Sequence, residues 1–408
     1  MRLDFKILRH MTLSKRKPLR DIAASSPPQI AILVETSSSW GRRVINGVGN
    51  YFRKSGPARL FVEARGIEES LRVPPGWEGS GVIARVTSSA MHRELQSLRI
   101  PVVNVSGIKL SQMNLPQVTT DMKVLADVAL DHFVERAFKH FAYFSLLGVS
   151  YVATQRDAFV QAVRNHGSEC SVFSVKPQVG AEPNWNLDLS LLAAWIKSLP
   201  KPVGILTWNA SGGREILYAC QVAGLLVPEE VAVLCASDDD IFCEHLQPPL
   251  SGILVAGEQI GHAAAALLHD LIRGKAVSKK TILIPPMGVI TRQSTDILAT
   301  NDRGVIKAIS FIRENATQPI QVVDVVRHAG LSRRALERRF LQVLGRTPAY
   351  EIRRVHLERA RYLLRETELP IPNVAEASGF GSPEYFTYAF KSEMGRTPLD
   401  YRKMIRSR

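Results

Sequence analysis

The four residues GRTP occur twice near the carboxyl end of this 408-residue chain, at 345–348 and again at 395–398. Before each copy lie a short apolar helical segment, a glycine, a serine and a second helical segment, with Phe340 in the first copy matched by Phe390 in the second. A repeat at a fixed spacing indicates that one supersecondary unit is built twice. The last quarter of the chain is therefore predicted to fold as two helix-turn-helix units.

The first unit contains the stretch AGLSRRALERRF, residues 329–340, with four arginines within seven residues. We expect Gly330 to end one helix and Ser332 to cap the next, because serine accepts hydrogen bonds from the free N–H groups at a helix start. Leu336 and Phe340 are four residues apart and face inward. The opposite, outer face of the same helix is predicted to carry Arg333, Arg334, Glu337 and Arg338.

In the second unit we expect Ser382 to be the N-cap and Pro383 the first residue of a helix. The predicted outer residues of this helix are Ser382, Glu384, Thr387, Tyr388 and Lys391. An amphipathic helix, AYEIRRVHLERARYLLRET, joins the two units. A single pattern of this kind is often an ordinary corner between two helices, but two copies with matching tails argue against that alternative.

The positive charge of the chain is concentrated at its two ends. Residues 301–408 hold twenty Lys/Arg against twelve Asp/Glu, residues 1–20 hold seven against one, and residues 21–300 hold twenty-five of each. A neutral middle joined to a basic end is typical of a chain in which one domain meets a polyanion and another has a different task.

The motifs AGLSRRALERRFLQVLGRTP and VAEASGFGSPEYFTYAFKSEMGRTPLDYR closely resemble the AraC/XylS-type DNA-binding domain. The resemblance implies a double-stranded DNA operator as a partner. Base contacts in one major groove would come from Arg334, Glu337 and Arg338, and in the next groove from Glu384, Thr387 and Tyr388. Arginine suits the O6 and N7 atoms of guanine, and glutamate can accept from N4 of cytosine.

Residues 28–294 show a different pattern, in which short apolar runs alternate with amphipathic helical segments. Strands buried on both faces and separated by helices predict a parallel α/β sheet with right-handed crossovers. The runs are QIAILVET, GVIARV, IPVVNVSG, FAYFSLLG, VGILTWN and VAVLCASD.

Polar and aromatic residues follow these runs, at the strand ends where open α/β sheets bind ligands. Hydroxyl groups need both donors and acceptors, and the C–H face of a sugar packs on indole rings, so this set favours a polyhydroxylated ligand. Any one of these residues alone is as well explained by a loop cap or an exposed position. The candidates are Ser39, Trp40, Arg42, Ser106, Asp121, Arg156, Trp208, Asn209 and Asp238, with Arg85 at another strand end.

The segments IAILVETSSSWGRRVINGV, IPVVNV and SGILVAGEQIGHAAAALLHDLIRG resemble the periplasmic-binding-protein-like effector domain of LacI/GalR-type repressors. The resemblance implies two lobes around a sugar-sized cleft, to which the candidates above are assigned. Val255 occupies a position that is often a glutamine ligand, and this leaves the identity of the sugar open. The predicted fold is thus an α/β two-lobed sensor domain (28–294) followed by an all-α domain with two helix-turn-helix units (295–408), after a basic tail, 1–27, that we expect to be disordered.

Catalytic, metal and membrane functions find no support in the sequence. It contains no G-x-S-x-G, Walker or complete dinucleotide-binding motif and no H-x-x-x-H, so we predict no enzyme, no cofactor and no metal. The four cysteines are far apart and are expected to be reduced. No apolar run is long enough to span a membrane and no secretory signal is evident, which favours the cytoplasm.

Together the two resemblances imply a transcriptional regulator of a sugar-catabolic operon, acting as a homodimer and controlled by a monosaccharide, with a pentose such as D-xylose expected and RNA polymerase as a further partner. Three alternatives stay open: a constitutive DNA-binding regulator whose α/β domain only dimerises, a regulator of a different sugar, and an enzyme fused to a DNA-binding domain. The sequence leaves undecided whether the regulator activates or represses, the operator sequence and the dimer interface.

Overall fold

The computed structural model describes residues 27–66, 71–74, 76–111, 113–176, 189–278, 280–300 and 302–406. Residues 1–26 of the predicted basic tail lie outside the described residues. Twelve strands are described: β1 (Gln29–Leu33), β2 (Arg59–Val62), β3 (Gly81–Ala84), β4 (Val102–Asn104), β5 (Val118–Thr120), β6 (His140–Leu146), β7 (Cys170–Val175), β8 (Val203–Thr207), β9 (Val231–Cys235), β10 (Ser251–Ile253), β11 (Ile282–Ile284) and β12 (Val289–Ile290).

Eight helices accompany these strands: α1 (Ser39–Ser55), α2 (Ser89–Ser97), α3 (Met122–Val134), α4 (Ser150–Asn165), α5 (Ser190–Ser198), α6 (Ala210–Ala223), α7 (Asp240–His245) and α8 (Gly257–Ile272). The strands form two main sheets, of order β2-β1-β3-β4 and β12-β10-β9-β8-β6-β7, and β5 pairs with β11. All described pairs are parallel except β10 with β12. The predicted parallel α/β architecture with two lobes is confirmed.

The chain passes between the two lobes three times. It leaves the first lobe between β5 and α3, returns between β10 and α8, and leaves again between β11 and β12. Residues 254–256 and 285–288 are therefore two of the three crossing segments, and any rotation of one lobe against the other has to bend them.

The apolar runs of the sequence correspond to β1, β3, β4, β6, β8 and β9, which are buried almost throughout. Strands β2 and β7 were not predicted, because they are edge strands with mostly exposed or half-buried side chains and so carry no continuous apolar run.

Helices α1 and α8 of the first lobe pack so closely that glycine is required at the contact. A Cβ atom at Gly47 would lie 2.1 Å from the backbone oxygen of Glu258, and one at Gly261 would lie 2.1 Å from that of Val44. Gly49, two residues further along α1, has no atom within 4 Å of the corresponding position. Gly47 thus serves helix packing.

The carboxyl end of the described chain consists of seven helices, α9 (Arg303–Glu314), α10 (Val322–Ala329), α11 (Arg333–Leu344), α12 (Pro348–Glu366), α13 (Ile371–Ala377), α14 (Pro383–Met394) and α15 (Pro398–Arg406). The pairs α10–α11 and α13–α14 are the two predicted units. Gly345 and Gly395 end α11 and α14 with left-handed φ values of 67° and 69°, and Thr347 caps α12. Because each GRTP ends one helix and begins another, the repeat fixes the same turn in both units.

Each helix-turn-helix unit has its own apolar core, and α12 contributes to both. Ile352 and Val355 pack in the first core with Leu336 and Phe340, and Leu364 packs in the second. The single helix α12 therefore holds the two units together.

A buried carboxylate anchors the first turn of α12. Glu351 is fully buried and accepts from Nε of Arg346 at 2.6 Å and from Nε and Nη2 of Arg354 at 3.0 and 2.9 Å. Although burial alone would raise its pKa, the hydrogen bonds and charges of these two arginines lower the pKa of Glu351 from 4.5 to about 2.

Exchanging Gly47 for alanine tests the close packing of α1 on α8. Gly47→Ala should lower the free energy of unfolding by about 1–3 kcal/mol, because the added methyl group meets the Glu258 carbonyl. The matched variant Gly49→Ala should raise it by about 0.5–1 kcal/mol, since alanine restricts the unfolded chain without a clash. Urea unfolding of both variants measures the difference, and equal effects would contradict the packing argument.

Glu351→Gln should lower the free energy of unfolding at pH 7 by about 3–5 kcal/mol, because it leaves two arginines without their buried partner. Glu358→Gln, which removes an exposed partner of Arg354, should cost about 0–1 kcal/mol. A depressed carboxyl pKa stabilises the fold fully above pH 4.5, and this contribution is lost as the pH falls toward 2. The difference in the free energy of unfolding between the wild type and Glu351→Gln, measured by urea unfolding, should accordingly become smaller below pH 4.5. A difference that does not change with pH would disprove the role of this charge.

Candidate functional site

A cavity of about 150 Å³ lies between the two lobes, at the carboxyl ends of the strands. It has one tryptophan from each lobe in its wall, Trp40 at the start of α1 and Trp208 directly after β8. Trp208 is buried and packs against Phe144, with 4.8 Å between the ring centroids. Rigid aromatic faces of this kind can pack against the C–H faces of a sugar.

Four of the nine residues that the sequence assigned to the ligand line this cavity: Trp40, Ser106, Trp208 and Asn209. The Ser106 hydroxyl accepts from the backbone N–H of Ile108 at 3.0 Å. Asn209 caps α6, since its Oδ1 accepts from the N–H of Gly212 at 3.0 Å. These side chains are thus held in fixed orientations by the loops that carry them.

The other five assigned residues are engaged elsewhere, and for them sugar contact stays a prediction. Asp121 caps α3, and Arg156 pairs with its neighbour Asp157 at 2.8 Å. Asp238 is buried, with its Oδ1 2.6 Å from Nη1 of Arg292. The remaining two are Ser39 and Arg42.

Ser39 and Arg42 connect the two lobes outside the cavity. The backbone N–H of Ser39, at the start of α1, donates to Oδ2 of Asp239 at 2.9 Å, and the Ser39 hydroxyl donates to Asp240. Nη2 of Arg42 lies 3.7 Å from Oδ1 of Asp240. The hydrogen bond from Ser39 is the largest cause of the lowered pKa of Asp240. These contacts hold the lobes together without lining the cavity.

Sequence reasoning missed Glu35 in the cavity wall. Its Oε2 lies 3.3 Å from Nη1 of Arg85, and Glu35 is buried with no hydrogen-bond partner at that oxygen. The guanidinium of Arg85 also lies 5.8 Å from the centre of the Trp40 ring. A carboxylate beside a guanidinium offers an acceptor and donors to adjacent hydroxyl groups. The position of Glu35 in the sequence could have identified it, because Glu35 and Arg85 both directly follow buried strands. Only Arg85 had been noted for that reason.

Tyr151 and Gln155 from α4 also line the cavity and were not predicted. Burial raises the pKa of Tyr151. Gln155 accepts from the hydroxyl of the buried Tyr143 at 2.6 Å, which fixes its amide. Both residues lie on α4, one to two helical turns beyond the end of β6. A search limited to residues directly after strands could therefore not identify them.

The second candidate site is the outer surface of the two helix-turn-helix units. Arg333, Arg334 and Arg338 are exposed on α11, while Glu337 is half-buried and binds Nε of Arg333 at 3.0 Å. Leu336 and Phe340 are fully buried, as the spacing predicted. The first half of α11 therefore presents three guanidinium groups to an external partner.

On α14 the assigned residues divide into two groups. Glu384, Tyr388 and Lys391 are exposed, and Tyr388 has 73% of its surface accessible. Ser382 caps the helix by accepting from the N–H of Tyr385 at 3.1 Å, and the Thr387 hydroxyl donates to the backbone oxygen of Pro383 at 2.9 Å. For all nine assigned residues of α11 and α14, contact with bases or phosphates stays a prediction.

A groove of about 470 Å³ lies between the two units and was not predicted. Arg333 at the start of α11, Tyr385 at the start of α14 and Arg353 of α12 all contribute to its wall. The amino-terminal ends of α11 and α14 therefore border the same groove.

Within the described ranges, no group of three or more metal-ligating side chains is close enough to hold a metal ion. Also within those ranges, no helix combines the length and apolar composition needed to cross a bilayer. The described thiols are free, and burial raises the pKa values of Cys170 and Cys220 to about 12, so neither is a reactive thiolate at neutral pH.

Three family models match successive parts of the chain. Residues 29–123 match the XylR N-terminal domain, residues 130–295 a periplasmic binding protein-like domain, and residues 325–404 a helix-turn-helix domain. The matches follow the order of the first lobe, the second lobe and the helical units.

The chain is also similar to known proteins over nearly their whole length. It is 32% identical to the xylose operon regulatory protein of Haemophilus influenzae, over 92% of this chain and 98% of that protein, and 30% identical to that of Escherichia coli K12, over 92% and 96%. Among solved structures, one described as the xylose-binding transcription activator xylR is similar with a TM-score of 0.60 and 30% identity, covering 93% of this chain and 99% of that one. On this similarity, which extends through both domains, the chain belongs to the family of xylose operon regulatory proteins.

Proposed function

We propose that this chain is a sequence-specific DNA-binding transcriptional regulator of a sugar-catabolic operon, controlled by a monosaccharide in the cavity between its lobes. The observation that carries the proposal is the joint presence, in one chain, of a cavity walled by two tryptophans and a Glu35–Arg85 pair and of two exposed recognition helices, of which α11 presents three guanidinium groups. Family membership favours D-xylose as the effector. The division into residues 28–294 and 295–408 is part of this proposal.

The cavity fits a single sugar ring with its hydroxyl groups. Its volume of about 150 Å³ is small, and its wall contains hydrogen-bonding groups, two indole rings and apolar side chains such as Val255. A site that pairs its buried polar groups with substrate hydroxyls discriminates strongly against analogues that lack them. The sugar is expected to favour the arrangement in which the lobes enclose it, and it can shift that equilibrium only by its differential affinity for the two arrangements.

The reading surfaces are expected to enter two neighbouring major grooves of one duplex. Arg338 and Arg334 suit guanine edges, and Glu384 suits cytosine N4. The exposed lysine and arginine residues supply phosphate contacts whose affinity falls with salt. Because operator DNA lies in the cytoplasm, the proposal places the chain there, with RNA polymerase as a further partner of an activator.

Homodimer formation is also part of the proposal. Tyr218 and Val222 are exposed one turn apart on α6, and Ile241 and Phe242 are exposed on α7, all in the second lobe. Exposed apolar surface of this kind is typical of interfaces between protein chains. Sedimentation equilibrium of the full chain tests this part, with a monomer at micromolar concentration as the contradicting result.

Calorimetric titration of the full chain with a panel of pentoses and hexoses tests the effector. D-xylose should bind, and a saturating ligand should also raise thermal stability, by about 2.7 kcal/mol at 100 times its dissociation constant. No binding of any sugar would favour the alternative in which the α/β domain only dimerises. Release of a chemically changed sugar would favour an enzyme instead.

Glu35→Gln should weaken D-xylose binding about tenfold or more, because the buried acceptor of the Glu35–Arg85 pair loses its charge. The matched control is Glu63→Gln, which changes an exposed glutamate of the same lobe and should leave the affinity within about twofold. Titration calorimetry measures both. Equal affinities of Glu35→Gln and the wild type would remove Glu35 from the sugar site.

Arg338→Ala should weaken binding to the preferred operator by about 1–3 kcal/mol and relax the preference for one base pair. Arg359→Ala removes an exposed arginine from α12 and serves as the charge-matched control. Binding to a library of operator variants distinguishes base contact from phosphate contact. A uniform loss on all sequences, with a shallower salt dependence, would assign Arg338 to the phosphates.

A further inference from the structure

The helix α12 is attached to the α/β domain at two separate places. Nη1 of Arg354 lies 3.0 Å from Oε2 of Glu135, and Nη2 of Arg361 donates to the backbone oxygen of Met287 at 2.7 Å. The two arginines are seven residues, or two helical turns, apart on α12. One attachment point lies in the second lobe, and the other lies on a segment that connects the two lobes.

The first attachment point is a rigid part of the second lobe. Glu135 directly follows α3, and its backbone oxygen also accepts from Nη2 of Arg346 at 2.6 Å. The next residue, Arg136, is buried and donates to the backbone oxygens of Thr295 and His132 at 2.9 and 3.0 Å. These bonds fix the end of α3 within the second lobe. Through its ion pair with Glu135, Arg354 therefore attaches α12 to that lobe.

The second attachment point lies on a crossing segment between the lobes. Met287 belongs to residues 285–288, which connect β11 to β12, and its N–H donates to the backbone oxygen of Leu254 at 2.8 Å. The N–H of Leu254 in turn donates to the backbone oxygen of Gly288 at 2.8 Å. Two of the three crossing segments are therefore hydrogen-bonded to each other at the point where Arg361 contacts one of them.

This point is also one residue from the cavity. Val255, which follows Leu254, lines the cavity wall. Gly288 leaves room for the guanidinium, because a Cβ atom there would lie 2.5 Å from Nη2 of Arg361. A continuous set of contacts thus runs from the cavity through Val255 and Leu254 to the backbone of Met287, and from there to Arg361 of α12.

We propose that Arg361 couples closure of the lobes to the orientation of α12 by binding a crossing segment, while Arg354 binds the rigid second lobe. Rotation of one lobe against the other bends the crossing segments and moves Met287 relative to Glu135. The contacts of Arg361 with Met287 and of Arg354 with Glu135 can then both persist only if α12 tilts. Because α12 packs into the cores of both helix-turn-helix units, its tilt moves both recognition helices. This inference rests on the proposed function and specifies how the sugar would act on DNA binding.

The test uses full-length Arg361→Gln and its matched control Arg359→Gln, which removes the same charge from an exposed position of the same helix. For each protein, D-xylose affinity is measured by calorimetry, and DNA affinity with and without saturating D-xylose on a duplex that the wild-type chain selects from a random library. The ratio of the two DNA affinities is the coupling factor, which in allosteric proteins is about 5 to 150. The far-ultraviolet circular dichroism of each variant verifies its fold.

Arg361→Gln should bind D-xylose in the absence of DNA within about twofold of the wild type, while its coupling factor falls to within about twofold of one. By reciprocity, operator DNA should then no longer change the D-xylose affinity. Arg359→Gln should keep the wild-type factor. A wild-type coupling factor in folded Arg361→Gln would overturn the proposal.

If Arg361→Gln fails to fold, Arg361→Lys provides the second variant, because it keeps the charge and the apolar stem but lacks the planar guanidinium. Its coupling factor should also fall, and an unchanged factor would overturn the proposal in the same way. A wild-type chain whose DNA affinity does not respond to D-xylose would contradict the proposed function itself, which separates that failure from a failure confined to Arg361.

Discussion

The buried ion cluster of Glu351, Arg346 and Arg354 is the interaction on which the arrangement of the helical units depends. It fixes the first turn of α12, and the same two arginines bind Glu135 of the second lobe. Desolvating a carboxylate is expensive unless several charged donors surround it, and here three hydrogen bonds from two guanidinium groups meet that requirement. One cluster therefore both starts the helix that joins the units and docks it on the α/β domain.

The α/β domain places its polar contacts in two separate sets with different consequences. Glu35, Arg85 and the two tryptophans face the cavity, where they can meet a ligand. Ser39 and Arg42 do not line the cavity, but they bind Asp239 and Asp240 across the lobes and stabilise the described arrangement of the lobes directly. The contacts that hold the two lobes together thus involve residues that do not line the cavity.

The sequence predicted best those features that depend on local spacing. The repeat around GRTP gave the helices of both units, because Gly345 and Gly395 impose left-handed turns and Ser332 and Ser382 are caps. Cavity residues were harder to identify. The expectation that ligands bind at the carboxyl ends of strands selects positions along the chain, but it does not indicate the direction in which a side chain points. Glu35 was overlooked beside its strand, while the side chain of Asp238, at another strand end, binds Arg292. The contacts of Arg361 and Arg354 with the α/β domain join residues far apart in sequence, and no local pattern indicates them.

Dimethyl sulfate protection footprinting of the full chain on its operator tests the central claim most directly, namely that α12 holds two reading helices for consecutive turns of one duplex. The account predicts two patches of protected guanine N7 atoms in the major groove, on one face of the duplex and about 10 base pairs apart for each bound chain. A single protected patch per chain, or two patches on opposite faces, would contradict it.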